Sequence, residues 1–480
     1  MLVAALRAVL PPEAIVEDAA SRAAFDCDGL TAYREMPPLV VLPADADQVS
    51  AVLRLCHEMR IKVVPRGSGT SLSGGAMPHP EAILLVLARL NRIIEIDIDN
   101  QVVVAQPGVT NLAITHAVAD HGFYYAPDPS SQIACSIGGN VAENSGGVHC
   151  LKHGLTVNNI CGLEICLIDG TRLRLGGRYL DAGGYDLLAA MTGSEGLLAV
   201  VTEVTVRVLP APETSRVLLL GFPTPAAAGA CVAAIIAAGI VPAGMEMMDA
   251  LAARAADAFV GAGYPPDAGA ILLIELDGPL AECAIAVDRV SAIAREVGAT
   301  SERVAADATD QAALWAGRKA AFPAVGRIAP DYYCMDGTIP RGRLPEVLEG
   351  IAALSDKYGL AVANVFHAGD GNLHPLILYD ADQPGELHRA EEFGADILRL
   401  CVSVGGVLTG EHGVGIEKRD LMPLMFDECD LAQQMRLKCA FDPDQLLNPG
   451  KVFPTLHRCA ELGRVHVHGG QTRFPDLPRF

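Results

Sequence analysis

Three glycine-rich segments in the N-terminal half of the chain constrain its fold more than any other feature. The first, Pro65-Arg66-Gly67-Ser68-Gly69-Thr70-Ser71-Leu72-Ser73-Gly74-Gly75, continues an apolar run from Ile61 that reads as a strand. The second, Ser136-Ile137-Gly138-Gly139-Asn140-Val141-Ala142-Glu143-Asn144-Ser145-Gly146-Gly147, comes shortly after Pro127-Asp128-Pro129-Ser130. The third, Gly193-Ser194-Glu195-Gly196-Leu197, precedes a strand-like run from Ala199 to Val208 that includes Val200. Glycine admits positive φ and close approach, so successive N–H groups can converge on an anionic ligand. No Gly-Lys-Ser/Thr closes the first loop, and Gly69 is followed by Thr70, Ser71 and Leu72, which does not give G-x-G-x-x-G. Taken singly, such a loop reads equally well as a long surface turn.

The rest of the composition narrows the choices. With 480 residues, 51% of them hydrophobic and 19% charged, the chain can bury two or three domain cores and is not intrinsically disordered. Its 36 Lys+Arg against 57 Asp+Glu give a net charge of −21, which argues against binding nucleic acid or anionic lipid through a basic surface. Thirteen scattered cysteines, an odd number with no C-x-x-C, are expected to be reduced thiols in a cytoplasmic protein, mostly in cores. Met1 to Leu10 is interrupted by Arg7 and stopped by Pro11-Pro12, so it reads as a short amphipathic helix rather than a signal peptide. Val217 to Met245 carries no charge, yet Pro223, Pro225, Gly239 and Pro242 divide it. Thr224 can cap a helix with Pro225 at its first position; at about 20 Å that helix is too short to span a bilayer. Strand–helix–strand is the expectation there.

Along the chain, Leu39–Leu42, Ile61–Pro65 and Ala82–Leu87 read as strands, with a helix capped by Asp45 or Asp47 and running to Met59. Short β segments continue to Pro210; longer Ala-rich helices alternating with strands follow from Arg216. Leu272–Leu276, Ala281–Val297 and Thr300–Val304 form one β-α-β unit; Tyr332–Ile339, Leu344–Tyr358 and Ala361–Phe366 form a second. Such repetition suggests a ferredoxin-like α+β layer. Helical signals return after Met425. The boundaries expected are residues 1–210, 211–430 and a C-terminal segment, 431–480.

Two further motifs carry chemistry. In Val365-Phe366-His367-Ala368-Gly369-Asp370-Gly371-Asn372-Leu373-His374, the Asp370-Gly371 pair predicts a two-residue type I′ hairpin with His367 directly opposite His374. Two imidazoles on one face suit two ligands of one metal ion. In Gly410-Glu411-His412-Gly413, Glu411 can complete a His₂Glu set and His412 can serve as a base, although a solvated turn is an equal alternative.

The three loops in this order, with Pro107-Gly108 between the first two, resemble the FAD-binding domain of the PCMH/vanillyl-alcohol-oxidase class. That resemblance implies an α+β fold: a two-subdomain FAD-binding domain (1–210), a ferredoxin-like substrate or cap domain (211–430), and a C-terminal helical segment returning to the FAD domain. The implied FAD contacts are Pro65 to Ser71, Gly74, Pro107, Gly108, Pro129, Ser130, Ser136, Gly138, Gly139, Asn140, Asn144, Gly146, Gly147, Glu195, Gly196, Val200 and Asn448. Thr70 stands where some members carry a flavin-linked histidine, so the FAD is expected to be non-covalent.

The hairpin, Gly-Glu-His-Gly-Val-Gly and Asn448-Pro449-Gly450-Lys451 together resemble the FAD-linked D-2-hydroxyacid dehydrogenases, nearest the FAD-bearing catalytic subunits of bacterial glycolate oxidases. This implies a divalent metal on His367, His374 and Glu411 (zinc first, manganese or iron(II) as alternatives), His412 as base and Arg318 as the grip on the substrate carboxylate. Where D-2-hydroxyglutarate enzymes carry polar groups, this chain has Phe322, Cys334 and Leu376, which favours a small monocarboxylate such as glycolate or D-lactate. Reduced flavin would pass electrons to a second FAD-domain subunit and an iron–sulfur subunit, since the chain has no cluster motif of its own. A D-lactate dehydrogenase acting alone, a non-redox metalloenzyme and a catalytically silent FAD scaffold are the rival readings.

Overall fold

The computed structural model describes residues 2–179 and 183–454. Two of its sheets come from the part of the chain before residue 210. In the first, Ile15–Val16, Val40–Val41, Ala82–Val86 and Lys62–Arg66 lie side by side in that order, with parallel pairing among the last three. Parallel neighbours need a crossover, and the helix Ala46–Met59 supplies it, its N-terminus capped by Asp45, which accepts from the Gln48 N–H at 2.8 Å. The second sheet is antiparallel, in the order Ile93–Asp97, Val102–Ala105, Val200–Arg207, Ile160–Cys166 and Arg172–Gly176.

The third sheet is larger and antiparallel. Its order is Ser301–Val304, Thr214–Phe222, Ala270–Gly278, Gly244–Asp249, Val362–His367, Asn372–Tyr379 and Asp331–Cys334, and Gly337–Thr338 also pairs with Asn372–Tyr379. Both of its faces are buried, and alternate residues choose between them. Leu218 and Leu220 join the core under helices Pro225–Ala237, Leu280–Val297, Leu344–Tyr358 and Glu386–Ser403. Val217 and Leu219 join the opposite core, which is covered by Ala250–Val260 and Ala308–Lys319. The uncharged stretch is strand–helix–strand as expected: Thr224 accepts from the Ala227 N–H at 3.2 Å and Pro225 opens the helix. Among the described residues no helix is long and apolar enough to cross a membrane. After the helix Glu428–Phe441 the chain returns to the first sheet, where the Asn448 N–H donates to the Val63 carbonyl at 2.8 Å.

The histidine hairpin corrects the expected register. His367 pairs with Asn372 and Val365 with His374, so the turn holds four residues, Ala368 to Gly371, rather than two. A type I′ turn needs positive φ at both central positions; Gly371 has φ +85°, but Asp370 is not among the positive-φ residues. Instead Asp370 Oδ1 accepts from the Asn372 N–H at 3.0 Å, and the Gly371 N–H closes on the His367 carbonyl at 3.1 Å. His367 and His374 are therefore diagonal neighbours on one face, with ring centroids still only 5.0 Å apart.

Candidate active site

The three glycine loops converge on a cavity of about 400 Å³. Residues 65–72 form one wall, Ser136, Gly138, Gly139 and Asn140 another, and Glu195, Gly196 and Val200 a third, with Pro107, Pro129 and Ser130 between them. The first loop can lie flat because Gly69 (φ +72°) rests on the Arg66 guanidinium, where a Cβ would come within 2.2 Å of Nη2. Arg66 is itself buried and donates through Nη1 to the Cys27 carbonyl at 2.7 Å. Ser136 Oγ and Asn140 Nδ2 are buried without a hydrogen-bond partner. Unpaired polar groups facing such a cavity call for a polar ligand, and these suit the phosphate and ribose groups of a dinucleotide.

Six residues expected to touch this ligand are placed behind the wall instead. Gly74 packs on Ile416, the Gly108 N–H donates to the Leu90 carbonyl at 2.7 Å, and Gly147 crosses Asp128 too closely for any Cβ. Asn144 accepts from the Val157 N–H at 2.9 Å, and Gly146 donates its N–H to Glu411 Oε2 at 2.9 Å. Asn448 Nδ2 donates to the carbonyls of Gly75 at 3.0 Å and Glu195 at 2.6 Å, tying the first and third loops together.

The same cavity is also lined by His374, Glu411, His412 and Phe322. Glu411 Oε1 lies 3.3 Å from His367 Nε2 and 3.1 Å from His374 Nε2. One ligand atom from each of these three residues falls within 4.8 Å of the others. Neither ring nitrogen of His374 has a hydrogen-bond partner, although the side chain is buried. Two imidazoles and a carboxylate with unused lone pairs fit a divalent cation held by three protein ligands. Burial works against a proton on His367, but Glu246 and Glu411 outweigh it and raise its pKa well above the ordinary value. The same carboxylates would favour a metal ion. A second set of donors, from Cys334, His374 and His412, is equally compact.

Behind His367 stands Glu246, the charged residue that ends the uncharged stretch. Its Oε1 is 2.8 Å from His367 Nδ1, and its Oε2 accepts from Arg318 Nε at 2.8 Å. All three side chains are at most 3% exposed. Arg318 is not part of the cavity lining: its Nε bonds the carboxylate that orients His367, while Nη2, 2.6 Å from Glu246 Oε2, is buried without a hydrogen-bond partner. The carboxylate grip implied for it by resemblance does not follow from this position.

His412 stacks on His374, with centroids 4.9 Å apart and planes 11° from parallel. Burial is the main reason its imidazole is pushed down to about 4, so it is neutral near pH 7. The turn that carries it is held by Asp336, which accepts from Thr409 Oγ1 at 2.5 Å and from the N–H groups of Gly410 at 3.1 Å and His412 at 3.0 Å. Lys418 Nζ donates to the same Asp336 oxygen at 2.9 Å and to the Gly413 carbonyl at 3.1 Å. Burial penalises the Asp336 charge, but Lys418 and the neighbouring histidines prevail and hold the carboxyl below its usual range. Phe322 meets His374 edge-on at 6.4 Å. Cys334 is buried beneath, and Leu376, its partner in the sheet, lies in the core.

Comparison with known proteins fits this geometry. The family description "FAD linked oxidases, C-terminal domain" matches residues 211–452, and "FAD binding domain" matches residues 37–176. The chain therefore belongs to the family of FAD-linked oxidases and is an FAD-linked oxidoreductase. The glycolate oxidase subunit GlcD of Escherichia coli K12 is 59% identical over 456 residues, which cover 95% of this chain and 91% of that protein. A D-lactate dehydrogenase of Archaeoglobus fulgidus is 34% identical, covering 88% of this chain and 96% of its own length. Among solved structures, p-cresol methylhydroxylase superposes with a TM-score of 0.81 over 95% of this chain and 97% of its own, at 17% identity, so the fold is of PCMH type.

Proposed function

We propose that the chain oxidises a small 2-hydroxy monocarboxylate, glycolate or D-lactate, to the corresponding 2-oxo acid. The observation that carries this is one cavity lined both by the glycine loops, which suit FAD, and by His374, Glu411 and His412. The named activities of the two relatives point the same way. His367, His374 and Glu411 hold a divalent metal ion, zinc first. When bound, the FAD supplies the two-electron acceptor for the substrate's α-hydrogen, and the metal supplies Lewis acidity toward its hydroxyl.

The protein's own groups do the rest. His412, kept neutral by burial, takes the hydroxyl proton. Asp336 and Lys418 fix the turn so that the imidazole cannot swing away. Arg318 and Glu246 hold His367 in one tautomer and one orientation, as carboxylate partners of metal-binding histidines do. Phe322 narrows the pocket and offers nothing to a second carboxylate. With Thr70 in place of an imidazole at that position, the FAD is held non-covalently. The FAD region is assigned to residues 1–210, the substrate region to 211–430, and 431–480 returns to the FAD region. In a cytoplasmic setting the electrons leave to a second FAD-domain subunit and an iron–sulfur subunit, a reading supported by the relative's being a named subunit.

The test is anaerobic bleaching of the purified yellow protein by glycolate, D-lactate, L-lactate and D-2-hydroxyglutarate. Rapid bleaching by glycolate or D-lactate is expected. Bleaching by none of them, or fastest by the dicarboxylate, refutes the proposal.

A further inference from the structure

A second cavity, of about 510 Å³, adjoins the first. Among the described residues Glu143, Ser194 and Glu195 line both, and these three form the partition. Glu195 is committed, each of its carboxylate oxygens accepting a backbone N–H, from Val414 and Gly415. Glu143 differs: its Oε2 is buried and, among the described residues, has no hydrogen-bond partner. The carboxyl lies between the first flavin loop and the glycine that follows His412. A Cβ on Gly75 would come within 2.5 Å of its Oε1, and one on Gly413 within 2.1 Å of its Oε2.

The titratable groups around Glu143 are Glu195, Asp28, Lys418 and Lys451, with His412 next to the Gly413 contact. Burial, with Glu195 and Asp28 adding to it, raises the Glu143 carboxyl well above the ordinary range against the pull of Lys418. Glu143 also ends the helix Ile137–Glu143, where the negative pole of the peptide dipoles favours the neutral form. The second cavity reaches the surface beside Leu437, which is 44% exposed, and Thr192, Ser194, Thr409 and Gln434 offer water polar partners there. Oxidation of a 2-hydroxy acid to a 2-oxo acid yields two electrons and two protons, while FAD with its substrate would fill a first cavity of about 400 Å³. We propose that the Glu143 carboxyl holds a proton and passes protons from the flavin cavity into the second cavity, and so to solvent. Oε2 gives up its proton to water in the second cavity, and the carboxylate regains one from the first. No bond to carbon changes, and the electrons leave separately through the flavin.

The test uses the FAD-loaded protein, reduced with dithionite and mixed anaerobically with ferricyanide in weak buffer containing a pH indicator. Two ferricyanide ions take one electron each, the flavin colour returns, and the flavin's proton is released. In wild type the indicator should follow the colour. Glu143→Gln is expected to slow proton release by about 100-fold, the usual worth of a positioned proton-transfer group. Added acetate should restore the rate in proportion to its concentration, and Glu143→Asp should retain most of it; a merely structural role predicts neither. The infrared carbonyl band of protonated carboxyl groups at pH 7 should lose intensity in Glu143→Gln. Leu437→Trp, which narrows the outer part of the second cavity, should slow proton release at unchanged FAD content, and it carries the test if Glu143→Gln loses its flavin. Wild-type proton release in Glu143→Gln or in Leu437→Trp, a slow Glu143→Gln that acetate does not accelerate, or an unchanged infrared band overturns the inference. The functional reading above supplies the FAD site on which this rests, but dithionite takes the place of the substrate. A protein bleached by no 2-hydroxy acid therefore overturns that reading and leaves this inference standing.

Discussion

Replacing Asp336 by Asn tests whether the Asp336–Lys418 pair holds the turn that carries His412. Both side chains are 0% exposed. Asp336 Oδ2 receives four donors of its own, from Thr409, Gly410, His412 and Lys418, and shares a fifth, the Glu411 N–H, with Oδ1, at 3.4 and 3.3 Å. An asparagine must turn its carbonyl toward the four donors, which leaves its NH₂ facing the Glu411 N–H. The buried ammonium of Lys418 is then left facing the more distant Glu417 carboxylate at 3.8 Å, and breaking such a buried pair from one side costs up to about 3–5 kcal/mol. Lys418 can limit the loss by releasing its proton, so the destabilisation should shrink as pH rises from 6 to 9. Displacement of His412 and Glu411 by about 1 Å would slow flavin bleaching by about 100-fold. Urea unfolding followed by flavin fluorescence reads stability, and stopped-flow bleaching reads the rate. Asp336→Asn combined with Lys418→Met should lose less than the sum of the two single changes, with a coupling of about 2 kcal/mol. Single variants within about 1 kcal/mol of wild type, with strictly additive effects, would refute the reasoning.

Three other outcomes are expected. His367→Ala and His374→Ala should each strip the metal while leaving the protein yellow, and full metal content in both by elemental analysis would sink the His₂Glu assignment. His412→Ala should retain FAD yet abolish its bleaching by glycolate; undiminished bleaching would remove His412 from the base role. Glu417 has a side chain only 2% exposed, with neither oxygen hydrogen-bonded, and burial raises it to about 7. Because its folded pKa exceeds the unfolded value, the folded state binds the extra proton, and that stabilisation is lost as pH rises from about 4.5 to about 7. Glu417→Gln should therefore be more stable than wild type above pH 7, by about 3 kcal/mol at most, with the advantage fading toward pH 4.5; a pH-independent difference would contradict this.

Features whose chemistry is local could be read from the sequence. Thr224-Pro225 announces a helix start, and the glycine loops announce close backbone approach, because one short segment carries each signal. The histidines of the hairpin were legible as residues, but their register was not. Asp370-Gly371 favours a tight turn, yet Asp370 is instead used as an acceptor for the Asn372 N–H, and the chain needs two more residues to close. Asp336 and Lys418 stand 82 positions apart, and their neighbours Gly337 and Glu417 make each look like a solvated turn residue. Glu246 could have been suspected, as a carboxylate between Met245 and Met247 in a strand otherwise built for burial. Arg318 was visible as a motif residue, but the direction of its side chain depends on Glu246, 72 positions away.

The hydrogen bond from the Gly146 N–H to Glu411 joins the second flavin loop to the carboxylate of the proposed metal site. Glu195 of the third loop likewise accepts the Val414 N–H at 2.6 Å and the Gly415 N–H at 2.8 Å, just past His412. In the proposed holoenzyme the two loading reactions are consequently linked. Whatever FAD contributes to ordering these loops is returned as tighter metal binding, and by reciprocity metal loading raises the affinity for FAD by the same factor. Apoprotein stripped of FAD would be a poorer chelator with every metal ligand intact, so maturation in the cell becomes cooperative: half-loaded molecules are the least populated species.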